Sequence, residues 1–165
     1  MKKQLFTSIE DHNHMCNKID EIGDVYSHIE ISNIKVPFRN NKIISIIRNS
    51  SLAGSIHLLD STDFIINTNS YYIVIDETKY KTEYIYYYME FINKDIIELS
   101  KLTLKPTLSK DNIINIIIDN ISQVVQTEIV EYCKFFDNSI NKLKHENETI
   151  KNKDIFSLMS KVHNF

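Results

Sequence analysis

Glycine and proline are nearly missing from this chain: its 165 residues hold two of each, and no tryptophan at all. So few turn formers exclude a β-sandwich built on many tight hairpins, and two glycines cannot make a Gly-rich loop that cradles phosphate. Excess positive charge is absent too. Lys and Arg number 19 against 22 Asp and Glu, a formal net charge of -3. Bulk attraction to a polyanion is therefore not available, and any such binding must rest on a local patch. The two cysteines, Cys16 and Cys133, lie far apart and match no metal spacing, which fits a reducing compartment. The longest Ile-rich stretch, residues 113–121, is too short and too interrupted to cross a bilayer. Lys2 and Lys3 lead into Leu5, Phe6 and then polar residues, which is not a signal peptide. The expectation is a soluble, cytoplasmic protein with no membrane partner.

The strongest positive signal is near the C-terminus. Ile129, Phe136, Leu143 and Ile150 recur every seven residues, and Cys133, Ile140 and Asn147 fall four after each of the first three. This 4-3 stripe predicts one long helix from 123 to about 152, with a coiled-coil seam that needs a partner helix. An amphipathic stretch over 155–162 is suited to fold back on it. The chain then divides into an α+β domain over 1–122, weakly patterned before residue 28, and a helical dimerisation or spacer arm over 123–165.

Within the first domain the period is mostly two. Ile29, Ile31, Ile34 and Val36 alternate with polar residues from His28 and predict a half-buried strand ended by Pro37. Residues 43–47 read as a continuous apolar strand, closed by Arg48 and a loop of small residues over 49–54. Further strands are predicted at 55–59, 71–75 and 113–118. Helical spacing returns after Thr82, a candidate N-cap: Ile85, Tyr88, Met89, Ile92, Ile96 and Leu99 predict an amphipathic helix over 83–101. A weaker helical signal covers 15–22. The predicted class is α+β, with mixed short strands, one packed helix and a long C-terminal helix of coiled-coil type.

Polar side chains at strand ends carry the chemistry. Ser50, Ser51, Asn67, Thr68 and Asn69 offer hydroxyls and amides able to bond phosphates or base edges, and Arg48 suits phosphate or guanine. Lys101, Lys105 and Lys110 surround Pro106 and would form a local basic patch; the alternative is an ordinary solvated loop. A nuclease outline also exists, with Glu77 and Lys79 following a strand and Asp60 or Asp63 upstream, the carboxylates holding Mg²⁺. Here the Glu-x-Lys triplet lies past the strand end and no proline precedes either aspartate. His12, His14 and Cys16 alternate but lack a fourth ligand, so no metal site is expected. Ser51, His57 and Asp60 are too close in sequence to suggest a triad. Of the tyrosines at 84, 86, 87 and 88, Tyr84 and Tyr88 share a face, which favours packing over a base-stacking platform.

Four segments in order carry a family resemblance. Residues 43–56, with Arg48, Ser51, Ala53 and Gly54, are similar to a strand ending in Arg-x-Gly-Ser-x-x-Gly. Residues 67–74, from Asn67 and Thr68 to Tyr72, are similar to the strand entry Ala-Thr-Asp-x-Ala-Tyr. Residues 84–88 and the following loop, from Leu99 to Lys110, are similar to Phe-Leu-Tyr-Tyr-Tyr-Leu and the loop after it. Residues 113–130, with Gln126, Ile129 and Val130, are similar to a segment ending in Gln-x-x-Ile-Val. Together they resemble one half of a type I restriction-modification specificity subunit over residues 28–145, a target-recognition domain followed by a conserved helix. Ser50 stands where the family has glycine, Ser55 where it often has lysine, Leu102 where it has a loop glycine, and the prolines before Gln126 are absent.

The resemblance implies a non-catalytic chain that selects DNA sequence. Its DNA-facing surface would include Arg48, Ser50, Ser51, Gly54, Asn67, Thr68, Asn69, Lys101, Thr103, Lys105 and Thr107. Its helix-pairing seam would use Ile129, Cys133, Phe136, Ile140, Leu143 and Ile150. It also implies double-stranded DNA, methyltransferase and restriction subunits, and a second copy or second specificity half as partners. S-adenosylmethionine, ATP and Mg²⁺ would belong to the partner subunits, with no cofactor bound by this chain. A different outcome is a degenerate or decoy fragment that acts only by protein–protein interaction, consistent with the acidic net charge and the lost glycines.

Overall fold

Ile43, Ile44, Ser45 and Ile46 are buried in succession, which requires a strand covered on both faces. The computed structural model describes residues 16–33, 42–60, 65–101 and 104–162, with side chains described as far as 151. Its elements begin with β1 (Cys16–Lys18), α1 (Ile19–Ile22), β2 (Gly23–Ser27), α2 (His28–Asn33), β3 (Lys42–Ile47) and β4 (Ile56–Asp60). They continue with β5 (Ser70–Ile75), α3 (Thr82–Phe91), α4 (Asn93–Ser100), α5 (Lys110–Ile114), β6 (Ile117–Asp119) and α6 (Gln123–Val162).

The apolar run is β3, inside an antiparallel sheet of order β2-β5-β3-β4. Ile44 stands opposite Leu58 on β4 and Ile73 on β5, and Ile73 in turn stands opposite Val25 on β2. On one face Ile31 of α2 packs with Ile43 and Tyr72. Helix α3 lies against β3 and β4 and buries Tyr84, Ile85 and Met89. Each fully buried Ile or Met contributes about 1.5–3 kcal/mol relative to exposure. Gly23 permits the close approach of β2 and β5, because a Cβ there would sit 2.4 Å from the Val74 carbonyl oxygen. A second, two-stranded ribbon pairs β1 with β6, Cys16 opposite Asp119.

Four expectations give way to the structure. Residues 28–33 form helix α2 rather than the first part of a strand, and the strand lies just before them as β2; residues 34–36 are outside the described set. The cause is a capping box that outweighs the alternation. The Ser27 N–H donates to Glu30 Oε2 (2.6 Å) and the Glu30 N–H donates to Ser27 Oγ (3.3 Å). The strand expected over 113–118 is helix α5 followed by the short β6. Here Ser109 Oγ accepts from the Asn112 N–H (3.0 Å) and Asn112 Oδ1 accepts from the Ser109 N–H (2.9 Å). The single helix over 83–101 is two helices, α3 and α4, broken at Ile92 (φ -89°, ψ 12°), with Lys81 rather than Thr82 as N-cap. Finally, α6 continues unbroken to Val162, so 155–162 extends the helix instead of folding back. The 15–22 signal is only partly helical, with β1 preceding α1.

Two units make up the chain, Met1–Val130 and Glu131–Phe165, and the division falls inside α6. In the first unit, Ile129 and Val130 are buried. In the second, Cys133 is buried and Phe136 is partly covered, whereas Ile140, Leu143 and Ile150 are exposed. Tyr132 and Phe135 are exposed as well, with their rings 5.5 and 5.7 Å from that of Phe136. Among the described residues no helix is long and apolar enough to cross a membrane.

Candidate nucleic-acid interface

Strands β3 and β5 run antiparallel with Ile47 opposite Ser70, so the loop leaving β3 and the loop entering β5 share one end of the sheet. The Arg48 N–H donates to the Asn69 carbonyl (2.8 Å), which carries the ladder one step past the strands. A third segment joins them: the Leu108 N–H donates to the Arg48 carbonyl (2.6 Å), and Asn49 and Thr107 form an antiparallel bridge. Thr107 is itself held to the end of α4, its N–H donating to the Ser100 carbonyl (2.8 Å). Three segments distant in sequence thus meet at one junction.

Each loop is internally braced. Ser50 has φ 94°, a left-handed conformation that glycine adopts freely and serine does not. Its Oγ accepts from the Leu52 N–H (3.2 Å), and its carbonyl accepts from the Ala53 N–H (3.1 Å). Gly54, also left-handed at φ +92°, bonds through its N–H to the Ile47 carbonyl (2.8 Å), and its own carbonyl accepts from Asn93 Nδ2 (2.8 Å). A Cβ on Gly54 would lie 2.8 Å from Ile97 Cγ1, so this glycine lets the loop pack on α4. In the β5 entry loop, Asn67 Oδ1 accepts from the Asn69 N–H (2.8 Å), and the buried Tyr72 hydroxyl bonds both the N–H and the carbonyl of Asn67.

The sequence-derived residues separate clearly. Arg48, Ser50, Ser51, Asn67, Thr68, Asn69, Lys105 and Thr107 all lie on the three joined segments. Every one of them is exposed except Arg48, which is half-buried. The Arg48 guanidinium carbon sits 5.7 Å from the centroid of the Tyr71 ring, an orienting contact worth about 0.5–2 kcal/mol. Lys101 is exposed one residue beyond Ser100, the anchor of Thr107. Gly54 is buried, and its place is in loop packing. Thr103 lies outside the described residues. Lys110 is in an ion pair with Glu30 (3.1 Å), which takes it out of the expected basic cluster. Asn49, Tyr71 and Leu108 escaped sequence reading although they build the junction. Asn49 is one polar loop residue among several, and its Oδ1 is buried without a hydrogen-bond partner.

The alternative sites look different. Glu77 Oε1 accepts from the Thr82 N–H (3.1 Å) and hydroxyl (2.6 Å), so this carboxylate is engaged at the start of α3. Lys79 faces Asp76 (3.7 Å) and donates to the Glu21 carbonyl (3.2 Å). Asp63, His12 and His14 lie outside the described residues, and Cys16 Sγ donates to Asp119 (3.8 Å). Among the described residues no three His, Cys, Asp or Glu side chains are grouped to hold a metal. Tyr84 is buried between Tyr80 (6.3 Å) and Tyr88 (6.1 Å), and burial pushes the Tyr88 hydroxyl up to about 12. These rings form packing, as their shared helix face predicts.

No protein-family model and no curated protein matches the sequence. Solved structures do match. The S subunit of a type I restriction-modification system from M. genitalium superposes with a TM-score of 0.69 at 17% identity, over 88% of this chain and 47% of that one. The HsdS subunit from Thermoanaerobacter tengcongensis gives a TM-score of 0.62 at 11% identity, over 87% and 44%. A chain from a structure describing complex assembly and conformational transition of the type I R-M system gives 0.63 at 14% identity, over 87% and 45%. The present chain spans about half the length of each, and its fold is that of one half of a type I restriction-modification S subunit.

Proposed function

We propose that this chain is the DNA sequence-recognition component of a type I-like restriction-modification system, binding through one target-recognition domain and pairing through its C-terminal helix. The observation that carries this reading is the junction of three loops at one end of the sheet, tied through the backbones of Arg48, Asn69 and Leu108. Base edges are told apart by donors and acceptors at fixed spacing, which braced loops supply and loose ones do not. Arg48 takes guanine or phosphate, the amides of Asn67 and Asn69 suit adenine edges, and Lys101 and Lys105 take phosphates. Methyl transfer and cleavage, with S-adenosylmethionine, ATP and Mg²⁺, fall to partner methyltransferase and restriction subunits, and this cytoplasmic chain is non-catalytic and binds no cofactor. The exposed part of the stripe, from Ile140 onward, pairs with a second copy or a second specificity half.

Fluorescence anisotropy of a labelled random-sequence duplex, titrated with the full chain at rising salt, tests the DNA reading. With Arg48, Lys101 and Lys105 as the cations, log affinity should fall with log salt at a slope of about -3. Arg48→Ala should weaken binding by about 1–3 kcal/mol. Absence of duplex binding even at low salt overturns the proposal. A second reading, a decoy that only occupies a partner through its helix, is favoured by the net charge of -3 and by the pairing of Lys110 with Glu30. A stable complex with a methyltransferase subunit and no DNA affinity would select it.

A further inference from the structure

Apolar side chains stand exposed on each of the three segments that meet at the polar junction. Leu104 is fully exposed on the segment leading to Thr107, Ile65 is 91% exposed ahead of Asn67, and Leu52 is 59% exposed at the turn after Ser50. Chain connectivity keeps them near the junction. Leu52 is three residues from Asn49 and Leu104 three from Thr107, within roughly 10 Å; Ile65 is four from Asn69, within about 14 Å. Each side chain is thus held within about one major-groove width, roughly 12 Å, of the junction. Each comes from a different one of the joined segments.

We propose that these three side chains read thymine C5-methyl groups in the major groove, so that the recognised duplex contains A·T pairs flanking the position taken by Arg48. The inference rests on the DNA-recognition reading and names its substrate class. The thymine methyl is the one apolar group displayed on a base edge in that groove, and aliphatic side chains are its matching partner. With a net charge of -3, and phosphate contacts confined to Arg48, Lys101 and Lys105, base-edge contacts add to a modest phosphate contribution. Burial of each methyl should be worth roughly fourfold in affinity.

The test replaces thymine by deoxyuridine, which removes only that methyl. A random-core duplex library is selected on the full chain, and the recovered duplex is made in both thymine and deoxyuridine forms. The thymine form should bind the wild-type protein roughly 4- to 60-fold more tightly, for one to three methyls buried. Leu104→Ser combined with Leu52→Ser should shrink that ratio toward one, while Arg48→Ala should weaken both forms alike and leave the ratio unchanged. Equal affinity of wild type for the two forms, or an undiminished ratio in the Ser variant, overturns this inference while DNA recognition stands. If no duplex is recovered or bound, the DNA reading fails and this inference with it.

Discussion

Gln126 Oε1 accepts the Lys81 N–H at 2.8 Å, joining the first turns of α6 to the residue that caps α3. The Gln126 side chain is fully buried, and its Nε2 donates to the carbonyls of Ile121 (3.0 Å) and Lys79 (3.3 Å). One buried amide therefore satisfies three backbone groups from two separate segments. Gln126→Leu should destabilise the protein by about 1–3 kcal/mol, because it leaves a partly buried N–H and two carbonyls without their partner at a site of nearly equal volume. Chemical denaturation should show the loss as a lower midpoint with an unchanged slope. A variant as stable as wild type would show that the neighbouring Gln123, which donates to Thr78 (2.7 Å), holds the turn alone.

Ser50 supplies the opposite case, a residue at odds with its backbone. Its φ of 94° costs a side-chain-bearing residue about 1–2 kcal/mol, offset in part by the bond from the Leu52 N–H. Ser50→Gly should raise the melting temperature by about 1–4 °C, since relief of the strain exceeds the added freedom of the unfolded chain. Ser50→Ala, which keeps the strain and loses the bond, should lower it. Differential scanning calorimetry of the two variants separates these effects.

The same residues show what sequence could and could not reveal. The strands at 43–47 and 71–75 were legible because buried β-structure leaves nearly continuous runs of Ile, Val and Tyr, and the one at 55–59 because it follows a loop of small residues. Likewise the seven-residue period of Ile129 to Ile150 could only be a long helix. What failed was short structure decided by caps: Ser27 with Glu30 and Ser109 with Asn112 override the alternation of Ile29 and Ile31 and the β-branched run after residue 113. At the candidate interface, Arg48 and Asn67 announced themselves by residue type. The roles of Asn49, Tyr71 and Leu108 come from pairings between distant segments, which no local pattern encodes. The seam was only half visible for a related reason. Periodicity marks an apolar face but not what covers it, and Ile129 and Cys133 are already buried within this chain.

Glu30 links acid stability to the α2 cap. The Ser27 backbone N–H is the largest influence, followed by the Ser27 hydroxyl and Lys110, and together they lower the carboxyl from its ordinary 4.5 to about 2. A carboxyl lowered in the folded state stabilises the fold above its unfolded value, and that stability is lost as pH falls from about 4.5 toward 2. Glu30→Gln keeps an acceptor for the Ser27 N–H but cannot titrate. Its melting temperature should therefore fall less than that of wild type across this window, with the two curves closest at the acid end. Because the Glu30–Lys110 pair is half exposed, the Lys110 part of the effect should shrink in high salt. Parallel acid limbs for the two proteins would show that the cap does not govern acid stability.

Ile140 and Leu143 test the helix. They are 45% and 59% exposed on the repeat that continues from Phe136, while Ile129 and Cys133 earlier on the same repeat are covered. The part of the seam open to a second helix therefore starts beyond Phe136. Two buried aliphatic side chains contribute about 1.5–3 kcal/mol each to such a pairing. Ile140→Glu with Leu143→Glu removes that gain and sets charges into the seam, so self-association should weaken at least 100-fold. Both positions are exposed within the chain, and the denaturation midpoint of the first unit should stay unchanged. Sedimentation equilibrium reads the association directly: a wild-type protein of paired mass and a variant of single-chain mass is the expected result. A variant that keeps the wild-type mass would place the pairing surface away from this stripe.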